Sequence, residues 1–262
     1  MTALLQLTGV TLRFAGNTVL DTVDFTIDSG VIVSLIGPNG AGKTSLFNCI
    51  TGFYKPQQGS IRLDGQELLK LKPHQVTKAG IARTFQNVRL FRQMTVLENV
   101  MSGSHCRTSA GALSAILRLP SQRREEAEIR AFAAECLEFV GIAEDMQRDA
   151  ATLAYGHQRR VEIARALATR PKLLLLDEPA AGLTKAEKED LLTLIARIRD
   201  ERGISVLLIE HDTSMVMRIS ERISVLDHGI MIAAGTPREI QANPRVIEAY
   251  LGVEDGEAEL EF

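Results

Sequence analysis

Apolar and polar positions alternate along most of the first 36 residues and then run together. The alternation in Leu5–Phe14 and Val19–Ile27, interrupted by Ala15-Gly16-Asn17, predicts two strands joined by a turn. Val31–Ile36 is a short apolar run, the pattern of a strand covered on both faces. Thr44–Ile50 reads as a helix that stops near Thr51-Gly52, and Ser60–Leu63 as a strand closed by the hairpin signal Asp64-Gly65. The mixture predicts a small antiparallel layer attached to a parallel core.

From about Asn87 to Arg170 the pattern is mostly helical. In Gln122–Val140, residues Ile129, Phe132, Ala133, Cys136, Leu137 and Val140 form one stripe, Glu126 and Arg130 are spaced as a supporting pair, and Gly141 sits where a helix ends. The stripe is read as core packing. Leu113–Leu119 is apolar but stops at Pro120, too short to cross a membrane. Beyond Lys172 strands and helices alternate: strand Leu173–Leu176, helix Lys185–Arg202, strand Ser205–Ile209, helix Thr213–Ile219, strand Ile223–Leu226. That order predicts an α/β fold with a parallel sheet covered on both faces by helices.

Composition narrows the classes. The 262 residues, 45% of them hydrophobic, suffice for one large domain with a full core, and no run approaches the ~20 apolar residues of a membrane span. No export signal is visible at the N-terminus. A net charge of −3 gives no support for nucleic-acid binding. Cys49, Cys106 and Cys136 lie in no metal-ligand spacing and are read as reduced packing residues. The acids Glu254, Asp255, Glu257, Glu259 and Glu261 are read as a solvated tail without function.

Two segments carry chemistry. Gly37-Pro38-Asn39-Gly40-Ala41-Gly42-Lys43-Thr44 fits G-x-x-x-x-G-K-[ST] at every fixed position, between a strand and a helix. Its glycines let backbone amides turn toward phosphate oxygens and the helix start adds partial positive charge. Lys43 is expected to reach the β- and γ-phosphates and Thr44 to bind Mg²⁺. The other segment is the apolar strand that ends in Asp177 and Glu178. Asp177 fits a carboxylate that holds Mg²⁺, and Glu178 one that orients and deprotonates an attacking water. A capping role for the helix after Pro179 suits either acid alone but not the pair beside a phosphate loop.

A phosphate loop leaves kinases, GTPases and helicases open. Leu153-Ala154-Tyr155-Gly156-His157-Gln158-Arg159-Arg160, one helix ahead of the acidic strand, resembles the signature motif of ATP-binding cassette (ABC) ATPases, usually LSGGQ. The resemblance spans almost the whole chain. It implies that Phe14 stacks on adenine, that Gln86 contacts Mg²⁺ and the nucleophilic water, and that Ala180–Thr184 is the loop after the catalytic glutamate, with Thr184 at the nucleotide. It makes His211 the switch histidine near the γ-phosphate. His74, His105 and His228 are read as surface or turn residues. The implied fold is a P-loop (RecA-like) core, 1–86 and 171–252, with a helical subdomain at about 87–170 and a tail at 253–262.

Within the family, Ile81–Gln86, Phe91–Met101, the Leu-x-Tyr-Gly signature, Asp177–Leu183, the insertion Gly111–Pro120 and the ending Gly235–Gly252 resemble the ATP-binding subunit of branched-chain amino acid importers. That branch implies a second ATPase subunit paired head to tail, two permease subunits and an extracytoplasmic binding protein, with this chain peripheral on the cytoplasmic face of the inner membrane. An ATPase of lipopolysaccharide export is the alternative, and the insertion is the expected discriminator. Translation and repair cassettes fit less well, since they carry paired cassettes or long coiled coils. Ala154 departs from the usual serine, whose hydroxyl the resemblance directs at the partner's γ-phosphate. The site it completes is therefore expected to be the weaker one, with His157 a candidate substitute donor.

Overall fold

The computed structural model describes residues 3–107 and 120–251; the apolar run Leu113–Leu119, the insertion Gly111–Pro120 except Pro120, and the acidic tail 253–262 lie outside them. Two sheets form among the described residues. In the first, β1 (Ala3–Phe14) pairs antiparallel with β2 (Asn17–Asp28) and with β4 (Gln58–Leu63), and β4 with β5 (Gln66–Glu67). The β4–β5 turn is Asp64-Gly65 with φ of 50° and 77°, the left-handed pair that a two-residue hairpin requires.

The second sheet has the order β10-β9-β3-β8-β7-β6. Its strands are β3 (Ile32–Ile36), β6 (Ile81–Arg83), β7 (Leu173–Asp177), β8 (Ser205–Ile209), β9 (Arg222–Asp227) and β10 (Ile230–Gly235). All are parallel except β10, which runs antiparallel on β9. Every residue of β3, β7 and β8 is buried, which explains why these segments are apolar without alternation.

The two faces of this sheet feed different cores. Leu174, Leu176, Val206 and Leu208 pack with α3 (Val96–Ser104), α4 (Pro120–Phe139), α5 (Tyr155–Ala168) and α6 (Lys185–Arg202). Leu173, Leu175, Leu207 and Ile209 face the other way, onto α1 (Lys43–Ile50) and the antiparallel sheet. A third, smaller core joins Ile36, Val216, Ile223 and Val225 to α8 (Pro237–Gln241) and α9 (Pro244–Leu251). Helices α2 (Pro73–Ala79) and α7 (Thr213–Ile219) complete the described set.

The expected stripe of α4 packs inward: Ala133, Cys136, Leu137 and Val140 are buried, and Gly141 follows the helix. Burial pushes the Cys49 and Cys136 thiols up to about 12, so both act as packing groups. Because β3, β6, β7 and β8 are parallel, their C-terminal ends gather along one edge, where an open α/β sheet forms its sites.

Candidate active site

β3 ends at Ile36 and the chain turns at Gly37. A Cβ at Gly37, whose φ is +149°, would lie 1.9 Å from the Leu226 carbonyl oxygen of β9, so only glycine fits there. The Ala41 carbonyl accepts from Gly229 N–H (2.9 Å), which ties the loop to the β9–β10 turn. α1 then starts at Lys43 with no side chain capping it, leaving its first amides directed into the loop. Lys43 is buried, and its Nζ donates to the carbonyls of Gly37 (2.5 Å) and Pro38 (2.9 Å). Burial lowers its pKa, while the charges of Glu178 and Asp177 act against that shift. Pro38 is half-buried, whereas Asn39, Gly40 and Thr44 are exposed.

The two acids end β7 with different surroundings. Asp177 is buried and paired with Arg83 Nη2 at 2.7 Å, and Arg83 Nη1 donates to Asn48 Oδ1 of α1 at 2.6 Å. The Arg83 guanidinium also lies 5.5 Å from the Phe47 and Phe85 ring centres. Glu178 has a φ of 47°, a left-handed conformation that costs a non-glycine residue energy and turns it out of the strand. Its Oε2 accepts from Gln86 Nε2 (2.7 Å), and its Oε1 pairs with His211 Nε2 (2.8 Å). Gln86, Glu178 and His211, far apart in sequence, therefore meet at one carboxylate.

The signature segment begins with Leu153, which is buried, and Ala154, the N-cap of α5, which offers no side-chain cap. Tyr155 is exposed and its hydroxyl accepts from Arg159 Nη2 at 3.2 Å; Gln158 Nε2 donates to the Leu153 carbonyl at 2.9 Å. α5 starts at Tyr155, inside the signature segment. His157 does not face the phosphate loop: its Nδ1 meets Asp145 Oδ2 at 2.8 Å, a partner that uses its polar edge within the subunit. Among the described residues no hydrogen bond or ion pair joins 153–158 to the loop at 37–44 of the same chain.

Other expected residues have local partners. Phe14, at the end of β1, is 44% exposed and packs edge-on against Tyr54, with centroids 5.1 Å apart. Thr184 caps α6, accepting from Glu187 N–H and donating to Glu187 Oε2 at 2.7 Å, so its hydroxyl is used in a capping box.

Several charged residues escaped sequence reasoning. Arg159 and Glu162 are both about 1% exposed and paired at 2.8 Å. Arg159 also donates to the carbonyls of Phe85 (2.7 Å) and Gln86 (2.9 Å), and Glu162 accepts from Phe85 N–H (3.2 Å), so α5 holds the glutamine loop by its backbone. Glu210 accepts from the amides of Ala180 (2.7 Å) and His211 (3.1 Å), which fixes the histidine relative to the loop after Glu178. Burial raises the Glu210 pKa and these amides oppose it. The available signal was a charge inside an apolar segment: Glu162 between Val161 and Ile163, and Arg83 after Ile81-Ala82.

A glycine-bounded loop with a buried lysine, two acids at a parallel strand end, and a glutamine and histidine on one of them define a P-loop nucleotide hydrolase. A family model described as ABC transporter matches residues 20–181, and one described as branched-chain amino acid ATP-binding cassette transporter matches residues 231–256. The chain is 49% identical over 249 residues to the high-affinity branched-chain amino acid transport ATP-binding protein BraF of Pseudomonas aeruginosa, covering 95% of this chain and 98% of that protein. It is 36% identical to the lipopolysaccharide export system ATP-binding protein LptB of Haemophilus influenzae, over 89% of this chain and 91% of that protein. The crystal structure of the ADP conformation of an ATP-binding cassette of an ABC transporter superposes with a TM-score of 0.83, at 31% identity over 96% of this chain and all of that one. The chain belongs to the ABC transporter family and is its ATP-hydrolysing cassette. Among the described residues no helix is long and apolar enough to cross a membrane.

Proposed function

We propose that this chain hydrolyses ATP to drive import of branched-chain or closely related amino acids. The observation that carries the catalytic part is the Glu178 carboxylate held between Gln86 and His211, beside the Lys43 loop. Likeness to BraF, together with the match at 231–256, supports the substrate class over lipopolysaccharide export, for which identity is lower.

In this reading Gly37, Pro38, Asn39, Gly40, Ala41, Gly42, Lys43 and Thr44 cradle the phosphates, and Phe14 and Thr184 contribute to the nucleotide site. Glu178 takes the proton of the attacking water while Gln86 and His211 keep its two oxygens aimed. Thr44, Gln86 and Asp177 offer hydroxyl, amide and carboxylate oxygens, a hard-donor set that suits Mg²⁺ shared with phosphate. When bound, the ion neutralises charge on the phosphate oxygens.

A second cassette pairs head to tail, so that Leu153–Gln158 of one subunit closes over the ATP of the other. The lack of contact between this segment and its own phosphate loop supports that arrangement. ATP binds the closed pair better than the open one and so shifts the population toward closure. The cassette spans 1–252, with its core at 1–86 and 171–252 and its helical part at about 87–170. Two permease subunits and an extracytoplasmic binding protein complete the importer, and they hold this chain at the cytoplasmic face of the inner membrane. A groove of about 530 Å³ lined by Phe53, Phe85, Phe91 and Arg165, between the glutamine loop and α5, suits a permease loop.

Proteoliposomes carrying the two permeases, both cassettes and the binding protein test the proposal. ATP-dependent uptake of labelled leucine, isoleucine or valine is expected. ATP hydrolysis that none of these amino acids stimulates would overturn the substrate assignment.

A further inference from the structure

One buried arginine connects the signature helix α5 to the glutamine and the acid of its own chain. Arg159 is about 1% exposed, and both of its terminal nitrogens serve more than one acceptor. Nη1 donates to the Phe85 carbonyl (2.7 Å) and to Glu162 Oε2 (2.8 Å). Nη2 donates to the Gln86 carbonyl (2.9 Å) and the Tyr155 hydroxyl (3.2 Å), and it faces the Glu178 carbonyl at 3.5 Å. Among the described residues Nε is buried with no partner. An orphaned buried donor is costly, and here it accompanies a fork committed to the glutamine loop.

Glu178 is a residue that needs holding. Its φ of 47° is strained, and such strain persists only where the surroundings over-determine the backbone. Its N–H donates to the Ile209 carbonyl at 2.9 Å, and its carbonyl, besides facing Arg159, accepts from Ala181 N–H at 3.2 Å.

Tyr155 ties this arginine to the start of the signature helix. The two residues are four apart and share one face of α5. The Tyr155 ring centre lies 5.8 Å from the guanidinium carbon, and the ring also covers Gly182 in the loop after Glu178, where a Cβ would sit 3.3 Å from ring Cε1. Tyr155 is nonetheless 41% exposed, at the helix end assigned to the partner's nucleotide. A shift of the first turn of α5 reaches the Gln86 and Glu178 backbones in two steps, hydroxyl to guanidinium and guanidinium to carbonyl.

We propose that Arg159 is a positioning residue for hydrolysis, aligning Gln86 and Glu178 by their backbones, and that the Tyr155 hydroxyl makes this alignment depend on the nucleotide held at the signature. The role rests on the proposed assignments of Gln86, Glu178 and the head-to-tail pair. A displacement of about 1 Å costs up to ~10²-fold in rate. Alignment of the base acts on the transition state alone, so loss of Arg159 lowers kcat and leaves nucleotide affinity unchanged.

The hydroxyl, the fork and the packing of α5 separate by substitution. Arg159→Lys keeps a positive charge beside Glu162 but replaces the planar fork by a point donor. Tyr155→Phe keeps the ring on Gly182 and removes the hydroxyl, and Ile163→Val thins the same helix at a buried core position. With the full chain, affinity for a non-hydrolysable ATP analogue is measured by calorimetry, kcat and the Hill coefficient by phosphate release, and stability by thermal unfolding. Arg159→Lys is expected to lose about ten- to a hundred-fold in kcat at unchanged affinity. Tyr155→Phe is expected to lose about two- to ten-fold in kcat, the worth of one hydrogen bond, and to bring a Hill coefficient above 1 down toward 1. Because the hydroxyl acts through the guanidinium, the double variant should be no slower than Arg159→Lys alone. Ile163→Val should lower Tm and keep the wild-type kcat.

Wild-type kcat in Arg159→Lys overturns the proposal, as do additive losses in the double variant, an unaltered Hill coefficient in Tyr155→Phe, or a kcat that falls as far in Ile163→Val. Should Arg159→Lys not fold, Tyr155→Phe decides alone, by its kcat and Hill coefficient at wild-type Tm. Glu178→Gln is the control. If it stops turnover while Arg159→Lys and Tyr155→Phe leave it intact, only the relay falls; wild-type turnover in Glu178→Gln removes the site assignment and the relay together.

Discussion

Arg83 Nη2 lies 2.7 Å from Asp177 Oδ2, and both side chains are less than a tenth exposed. The pair joins β6, which leads into the glutamine loop, to the strand that carries both acids, and Asn48 extends the link to the phosphate-loop helix. An ion pair this deep is weak evidence for net stability, but removing one partner strands a charge in a low-dielectric site. Arg83→Met is expected to destabilise the chain by about 3–5 kcal/mol in denaturant unfolding, and Arg83→Met/Asp177→Leu to recover most of it. A single-variant cost under about 1 kcal/mol would mean that Asp177 finds another partner or takes up a proton.

Among the described residues, Glu178 is the one carboxylate that Gln86 and His211 both reach. Glu178→Gln preserves size and one of the two acceptor oxygens but removes the base. A positioned general base contributes roughly 10²–10⁴-fold, so turnover should fall by at least 100-fold while ATP still binds. Single-turnover phosphate release separates the two effects, and near-normal turnover would take the proton-accepting role away from Glu178.

The loop makes a stringent demand at Gly37. In Gly37→Ala the new methyl meets the Leu226 backbone oxygen, and a backbone atom cannot swing aside as a side chain can. Either β9 shifts or the loop does, and overpacking of this kind typically costs about 1–3 kcal/mol. A lower Tm together with lost ATP affinity is expected; wild-type values for both would show that the loop can relax around the methyl.

Lys188 Nζ and Asp212 Oδ2 lie 2.7 Å apart and connect α6 to the residue after His211. This hydrogen bond, helped by Ser214 and the Met215 amide, holds the Asp212 carboxyl at about 2, below its ordinary 3.8. A depressed acid stabilises the fold above its unfolded pKa, and the contribution fades as pH falls through the folded one. Lys188→Met should therefore be less stable than wild type at pH 5 and above, and the two should converge between about pH 4 and pH 2. Parallel stability curves across that window would contradict the assignment.

Much of the fold is legible from local pattern. Lys185–Arg202, Ser205–Ile209 and Thr213–Ile219 form with the bounds their periodicity predicts, because capping and strand burial are local signals. β6 and α8–α9 escape notice since they are short and stabilised by tertiary contacts: Ile81 and Ile240 are buried, but neither segment is long enough to show a period. The site divides in the same way. The phosphate loop and the acid pair announce themselves as contiguous motifs. Gln86 and His211 gain meaning only through family order, and their convergence on Glu178 is a property of strand order. Arg83, Arg159 and Glu162 belong to buried networks that join segments more than 70 residues apart, which no spacing rule reveals.

Ala154 sits at the N-cap of α5 with φ of −58° and ψ of 152°, the geometry of a capping residue, yet it has no oxygen to cap with. Serine there would gain twice, once from its own helix and once from the partner's nucleotide. The cap alone should raise stability by about 1 kcal/mol in the unpaired subunit. A hydrogen bond to a charged phosphate is worth about 1.5–3 kcal/mol, so ATP-driven pairing in a Glu178→Gln background should tighten by roughly 10- to 100-fold. Ala154→Asp separates the two gains, because aspartate caps as well as serine does but opposes a phosphate with negative charge. Both substitutions should raise Tm; only Ala154→Ser should strengthen the ATP-bound pair, and Ala154→Asp should weaken it. Equal pairing by the two variants would show that residue 154 acts on its own helix alone, and the expected weakness of the site it completes would then have to lie elsewhere in the signature.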